Sequence, residues 1–216
     1  SEAGGDLGHE VATRMWVSVQ LALPIFLLQV IASTSFALLL VMFRHTRLDL
    51  WGVVLCVLML SISSLFYIIV GQYMFSRVLR LVPINGYAPG LDAVKFLILP
   101  ILLSLLARLG SEARLYRAMF LEEIGKDYVR TARAKGLSEA VVLFRHVLKN
   151  ALIPIITSAG SYLPYVFLGS LVFESFFGIP GLGAFVIDAI TGRRPLTRVP
   201  RPRLLPLTEL VNPKIR

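Results

Sequence analysis

The sequence predicts an all-α fold, a polytopic bundle of transmembrane helices that forms one membrane domain. Three observations lead to this prediction. The chain has 216 residues, of which 56% are apolar, and its mean hydropathy is +0.75. Only 16% of its residues are charged, whereas about a quarter are charged in soluble domains. The charged residues are also crowded into a few blocks between long uncharged runs, which is typical of a multi-pass membrane protein.

Four apolar runs are predicted to cross the membrane. A helix rises about 1.5 Å per residue, so about 20 apolar residues cover the hydrocarbon layer. Three of the runs carry no charge. The third run is shorter and spans the bilayer only if Lys95 snorkels at one end and Arg108 lies at the opposite interface. The predicted spans are 16–43, 51–75, 94–109 and 151–173.

The distribution of Lys and Arg predicts the orientation of the bundle. Segments 44–50 and 108–150 together hold eleven of these residues, whereas segments 1–15 and 76–95 hold four. Positively charged loops stay on the cytoplasmic side, so the 108–150 loop is predicted to be cytoplasmic. The same bias explains the net charge of +9. The basic blocks carry few interleaved aromatic residues, so nucleic acid is not an expected partner.

The cytoplasmic stretch within 108–150 is amphipathic and interrupted by a glycine. Gly136 marks the predicted end of one short helix, and Ser138 is a suitable N-cap for a second one. The sequence therefore predicts two short helices with a glycine hinge, lying across the membrane surface. The first helix carries three small side chains, Thr131, Ala132 and Ala134.

Two interpretations of this stretch remain open from the residues alone. Its Lys and Arg side chains suit an interfacial helix that contacts anionic lipid. That interpretation requires neither Gly136 nor the small side chains, which instead favour a helix that enters a groove on another protein.

The sequence DYVRTARAKGLSEAVVLFRHVLKNALIP at 127–154 resembles the cytoplasmic loop of binding-protein-dependent ABC importer permeases. The consensus of that loop is Glu-Ala-Ala, three further residues, then Gly. The chain keeps Ala132 and Gly136, and it departs from the consensus at Arg130 and Thr131. A second motif, FESFFGIPGLG at 173–183, is similar to the oligopeptide/dipeptide/nickel branch of the same family.

The resemblance implies a type I importer permease fold, in which the 125–150 stretch is a coupling helix seated in a cleft of a cytoplasmic ATPase. The chain lacks the G-x-x-x-x-G-K-[ST] phosphate loop, so ATP and Mg are expected on the partner, and the chain itself is expected to be a transport subunit and not an enzyme. The residues expected at the ATPase contact are Tyr128, Thr131, Ala132, Ala134, Lys135, Gly136 and Leu137.

Further expectations follow from the resemblance. The cargo is a peptide or a related small solute, and the membrane is a bacterial inner (plasma) membrane. The expected partners are the ATPase subunits, a second permease subunit that is homologous or identical, an external solute-binding protein and the lipid bilayer.

The outer segment 174–190 begins with an acid directly after the fourth run. Glu174 is predicted to face outward, either as an ordinary interfacial carboxylate or as part of a gate near the substrate. The glycines that follow predict a short re-entrant helix around 181–190. The candidate gate residues are Glu174, Ser175, Phe176, Phe177 and Gly178.

The membrane domain is predicted to cover 1–190, and the Pro/Arg-rich tail 191–216 is predicted to be irregular because no apolar run in it can cross a bilayer. Relative to the family, the first and last spans are expected to be missing. The three histidines lie in segments assigned to different sides, so no metal site is expected.

Two other functions compete with an ATP-driven permease. An ion-gradient-driven secondary transporter would need ionisable residues or broken helices at the bilayer midplane. The apolar runs carry no charge, which argues against this function. A non-transporting membrane scaffold with an amphipathic surface helix would need no partner ATPase.

Overall fold

The computed structural model describes residues 2–78 and 93–191, and these ranges contain helices and no β-strand. The predicted all-α fold is confirmed. In chain order the helices are α1 Glu2–Met42, α2 Arg47–Ser61, α3 Ser64–Gln72, α4 Ala93–Ile124, α5 Asp127–Ala134, α6 Glu139–Val141, α7 Leu148–Phe177 and α8 Leu182–Ile190. A π-helical turn, Tyr73–Val78, extends α3, and another, Val142–Val147, joins α6 to α7. The predicted irregular tail lies outside the described residues from position 192 on.

Three helical segments of the described ranges are long and apolar enough to cross a membrane, namely Val11–Met42, Phe96–Ile124 and Glu139–Pro164. The pair formed by α2 and α3 would be a fourth span, but the two helices are bent by 88°. The predicted 51–75 run is therefore not a straight helix. The Tyr67 hydroxyl donates to the Met59 carbonyl across this break at 3.3 Å, which satisfies one backbone acceptor that the bend releases.

Helix α1 packs along α4, and α7 packs against both, so these three long helices form the core of the bundle. One buried cluster lies at the end of the bundle near α8, which we call the α8 end. Its members are Val17, Leu21, Ala22, Ile25, Ile68, Leu97, Leu99, Leu103, Phe173, Phe177 and Ile179. A second cluster lies at the opposite end, near α5, which we call the α5 end. Its members are Ala37, Leu38, Val41, Tyr116, Phe120, Val129, Ala132, Val142, Leu143, Val147, Ala151 and Ile155.

Helix α2 approaches α4 closely at a glycine. A Cβ on Gly110 would lie 2.6 Å from the Cys56 carbonyl oxygen, so the backbones meet at a distance that only glycine permits. Leu40, Cys56 and Ala113 form the small buried cluster beside this contact.

Helix α4 continues well past the predicted 94–109 span. The sequence placed Arg108 at the membrane interface, and the helix continues beyond it because two charged side chains further along have partners on other helices. Arg117 forms two hydrogen bonds with the Asp49 carboxylate of α2, at 2.9 and 2.7 Å. Glu112 accepts a hydrogen bond from Ser33 of α1 at 3.3 Å. The helix therefore runs on to Ile124 without a break.

The second of the two short helices predicted in the 125–150 stretch also differs from the prediction. It begins at Glu139 and passes through the π-helical turn directly into α7. Of the two predicted helices, only α5 is separate. The segment after Gly136 forms the beginning of the long helix that continues as α7.

Candidate functional site

Helix α5 rests on the α5 end of the bundle through one apolar face. Val129 is fully buried and Ala132 is 6% exposed, and both belong to the cluster shared with α1, α4 and α7. Burial of a valine side chain stabilises the fold by about 1.5–3 kcal/mol. Thr131, Ala134 and Lys135 lie on the remaining surface of the helix and are exposed.

The end of α5 is a Schellman turn closed by a glycine. The Leu137 amide donates to the Ala132 carbonyl at 3.4 Å, and the Gly136 amide donates to the Arg133 carbonyl at 2.9 Å. Gly136 has φ +78°, a left-handed conformation that favours glycine. The sequence signal for a glycine hinge therefore corresponds to a turn of defined hydrogen bonding.

The start of α5 is held to the end of α4 by Glu123. Its carboxylate pairs with Lys126 and accepts a hydrogen bond from the Tyr128 hydroxyl at 2.7 Å. Burial of Tyr128 and its hydrogen bond to Glu123 raise the pKa of this phenol. The hydrogen bond to Glu123 also raises the pKa of the exposed Lys126 amine, so both donors keep their protons at neutral pH.

The far side of the turn is held by Glu139, the first residue of α6. Arg133 of α5 donates two hydrogen bonds to its carboxylate, at 2.7 and 3.3 Å, and Arg44 after α1 donates a third at 3.2 Å. One carboxylate thus connects α5, α6 and the end of α1. The sequence analysis did not identify Glu123 or Glu139 as functional residues. The opposite charges of Arg133 and Glu139 on either side of Gly136 could have indicated their ion pair.

The residues predicted for ATPase contact come together here, but they do not all face outward. Tyr128 is half-buried, and Ala132 lies beneath the helix in the protein's own core, so its methyl group is not part of the exposed small-residue surface. We use the name coupling surface for the exposed remainder, which consists of Thr131, Ala134, Lys135, Gly136 and Leu137.

Beside the coupling surface, a groove of about 550 Å³ separates the end of α4 from the start of α7. It is lined by Met119, Glu122, Glu123, Lys126, Tyr128, Asn150, Ile153 and Pro154. The same Glu123 that anchors α5 therefore also forms part of the groove wall.

At the α8 end, Glu174 is not an exposed interfacial carboxylate, which was one of the two interpretations of this acid, and its role in a gate stays a prediction. It is 0% exposed, accepts a hydrogen bond from the Gly183 amide at 2.6 Å, and accepts another from the Ser170 hydroxyl at 3.2 Å. The Leu182 amide donates to Ser18 of α1 at 2.8 Å. The carboxylate and this serine together fix the start of α8 against α7 and α1.

The loop between α7 and α8 needs glycine for close packing. A Cβ on Gly181 would lie 2.6 Å from the Ser18 hydroxyl and would also meet the Glu174 carboxylate. A Cβ on Gly183 would collide with the backbone of Leu171. These glycines explain how a charged side chain is covered completely by a short loop.

The other predicted gate residues surround the end of α7. Phe177 is buried and stacks on Phe173 with ring centroids 6.4 Å apart. Gly178 ends the helix in a left-handed conformation with φ +64°. Ser175 and Phe176 are exposed, and the Phe176 carbonyl accepts a hydrogen bond from Gln72 at 3.0 Å.

These features define a polytopic membrane protein with an exposed short helix rigidly mounted at one end. Residues 11–196 match the family of binding-protein-dependent transport system inner membrane components. The chain belongs to this family, and the resemblance found in the sequence is confirmed.

Several permease proteins are similar in sequence to this chain. The chain is 34% identical over 191 residues to a peptide transport system permease protein of Brucella suis biovar 1 (strain 1330), which covers 87% of this chain and 61% of the relative. It is 33% identical over 183 residues to the oligopeptide transport system permease protein OppB of Salmonella typhimurium, covering 85% and 59%. OppB of Escherichia coli K12 is 32% identical over the same length and coverage. The chain spans about three fifths of the length of these relatives.

Proposed function

We propose that this chain is the membrane-spanning permease subunit of an ATP-driven importer of peptides or a related small solute, in a bacterial inner membrane. The coupling surface would seat in a cleft of a cytoplasmic ATPase, and the α5 end would face the cytoplasm. The observation that carries the proposal is that α5 exposes one face while its other face and both its ends are fixed to the bundle. Membership of the family and the names of the peptide permease relatives support the same function.

The mounting of α5 supplies a mechanical route from the ATPase to the bundle. Glu123 links the start of α5 to α4, and Glu139 links its end to α1. The chain after the turn continues without a break into α7. A displacement of α5 is therefore passed to all three long helices, which is the requirement for rocking between inward-open and outward-open states.

The remaining machinery is assigned to other subunits. ATP and Mg would bind the partner ATPase, because the chain has no phosphate-binding loop motif. A second permease subunit, homologous or identical, would complete the path, and an external solute-binding protein would deliver cargo at the α8 end.

An ion-gradient-driven transporter is the second candidate, and one observation favours it. Glu112 and Arg108 lie inside the apolar segment Phe96–Ile124, so the bundle does hold ionisable groups. Peptide uptake in vesicles that lack ATP but hold a proton gradient would support this alternative.

The coupling proposal is tested with Lys135→Glu and a matched control, Arg47→Glu. Both residues are exposed and basic, and both changes alter the net charge equally, but only Lys135 belongs to the coupling surface. In proteoliposomes of the full chain with its co-purifying subunits, we expect Lys135→Glu to lower ATP-dependent uptake about tenfold, equivalent to about 1.4 kcal/mol of lost ATPase contact. Arg47→Glu should transport like the unmodified chain. Equal uptake by both variants would refute the assignment of α5.

A further inference from the structure

A polar cluster lies inside the bundle, where α1, α4 and α7 meet. The Gln29 side-chain amide donates to the Ser33 hydroxyl at 3.0 Å, and that hydroxyl donates to the Glu112 carboxylate at 3.3 Å. Gln29 is 3% exposed and Ser33 is 0% exposed. All three residues belong to segments that are apolar enough to cross a membrane. Polar and ionisable side chains are costly at such positions and mark substrate paths in membrane proteins.

A cavity of about 10 Å³ adjoins this cluster, which is room for one water molecule. Its polar lining consists of Gln29, Arg108, Glu112, Tyr116 and Tyr162. The Gln29 Oε1 atom is buried and has no hydrogen-bond partner. An unpaired buried polar atom costs about 1–3 kcal/mol, so a donor group that entered the cavity beside Gln29 would be favoured there.

We infer that Gln29 and Glu112 form the contact for the ammonium group of a peptide inside the translocation path. Both side chains present acceptor oxygens to the same cavity, and an ammonium group carries three donors and no acceptor. Arg108, one helical turn from Glu112 on the same cavity wall, offsets the charge of Glu112 while the cavity holds no peptide. This inference rests on the proposed function, since it names the part of the cargo that the path recognises.

The cavity also indicates the state of the bundle in which the contact forms. A space for one water molecule does not admit a peptide, so the described conformation is closed at this level. The contact belongs to a conformation in which α1 separates from α4 and α7.

The inference is tested by comparing uptake of trialanine with uptake of N-acetyl-trialanine, which lacks the ammonium group. In proteoliposomes of the assembled complex, Glu112→Gln should reduce uptake of trialanine about tenfold and leave N-acetyl-trialanine nearly unchanged. Gln29→Met preserves the side-chain volume. It should also lower the ratio of trialanine uptake to N-acetyl-trialanine uptake. Glu122→Gln is the matched control, because Glu122 is an exposed acid on the same helix outside the cavity, and its ratio should equal that of the unmodified chain.

The outcomes separate this inference from the proposed function. If the unmodified complex imports trialanine and neither Glu112→Gln nor Gln29→Met changes the ratio, the ammonium contact is refuted while the permease function stands. If the unmodified complex imports neither peptide with ATP, the proposed function fails and the inference fails with it. If the Glu112→Gln chain does not assemble into the complex, the uptake ratio of the Gln29→Met variant decides the result.

Discussion

The two ends of the bundle carry short helices of similar length that are held by different chemistry. Helix α5 has 8 residues and α8 has 9, and a left-handed glycine lies beside each of them, Gly136 and Gly178. At the α5 end, Glu123 at the start of the helix is buried, whereas Glu139 beyond its end has a side chain that is 56% exposed and pairs with two arginines. At the α8 end the carboxylate is Glu174, which is fully buried and bonded to a backbone amide and a serine.

The carboxylates that hold the glycine turn of α5 and the start of α8 therefore differ in their exposure to water. Exposed ion pairs contribute only about 0–1 kcal/mol each, because water and salt screen them. A buried hydrogen bond is not screened in this way, and removing one partner leaves the other unpaired at a cost of about 1–3 kcal/mol. The start of α8 is therefore fixed more firmly than the turn at the end of α5, and the outer face of α5 stays exposed.

The largest expected effect is at the α8 end. Glu174→Ala removes the acceptor of the Gly183 amide and the Ser170 hydroxyl and leaves a cavity, so the free energy of unfolding should fall by about 3 kcal/mol. Denaturant titration of the full chain in detergent measures this loss. Ser175→Ala is the control, because Ser175 is the exposed neighbour in sequence and should cost almost nothing. A small loss for Glu174→Ala would mean that α8 is not held by this carboxylate.

A smaller effect is expected at the glycine of the α5 turn. Gly136→Ala places a Cβ in a left-handed conformation and should cost about 1–2 kcal/mol of unfolding free energy. Gly160→Ala is the matched change. Gly160 lies within α7 with nothing within 4 Å of a Cβ, so alanine should stabilise that helix by up to about 1 kcal/mol. Changes of opposite sign in the free energy of unfolding for the two substitutions would support the turn geometry, and changes of equal sign would contradict it.

The smallest effect is expected for the exposed carboxylate. Glu139→Gln weakens its pairs with Arg133 and Arg44 and should lower the free energy of unfolding by about 0.5 kcal/mol. The loss should shrink further at high salt, because the pairs are screened. Measuring the difference at low and high ionic strength tests this. A loss as large as that of Glu174→Ala, and independent of salt, would remove the contrast between the two ends.

Local features of the fold were predictable from the sequence. Long uncharged runs predicted the helices, and the isolated glycine at 136 predicted the end of α5, because both depend on residues close together in the chain. The exposure of Ala134 and Lys135 followed in the same way from their place beside that turn.

Features that depend on distant partners were not predictable. Arg108 was placed at the end of a span, because nothing near it in sequence shows that Gln29 of α1 lines the same cavity. Ala132 was assigned to the exposed surface because periodicity does not say which face of a short helix the bundle covers. The burial of Glu174 was not foreseen, because its cover comes from glycines that follow it and fold back over it.

The close meeting of α2 and α4 has a consequence for spectroscopy. Cys56 is the only cysteine of the chain, and it is 0% exposed beside Gly110. A maleimide dye added to the folded chain should leave this thiol unmodified, since the reagent cannot reach it. Lys135→Cys would then provide a single labelling position, and its fluorescence could follow the tip of α5 through a transport cycle with no background from the native sulfur.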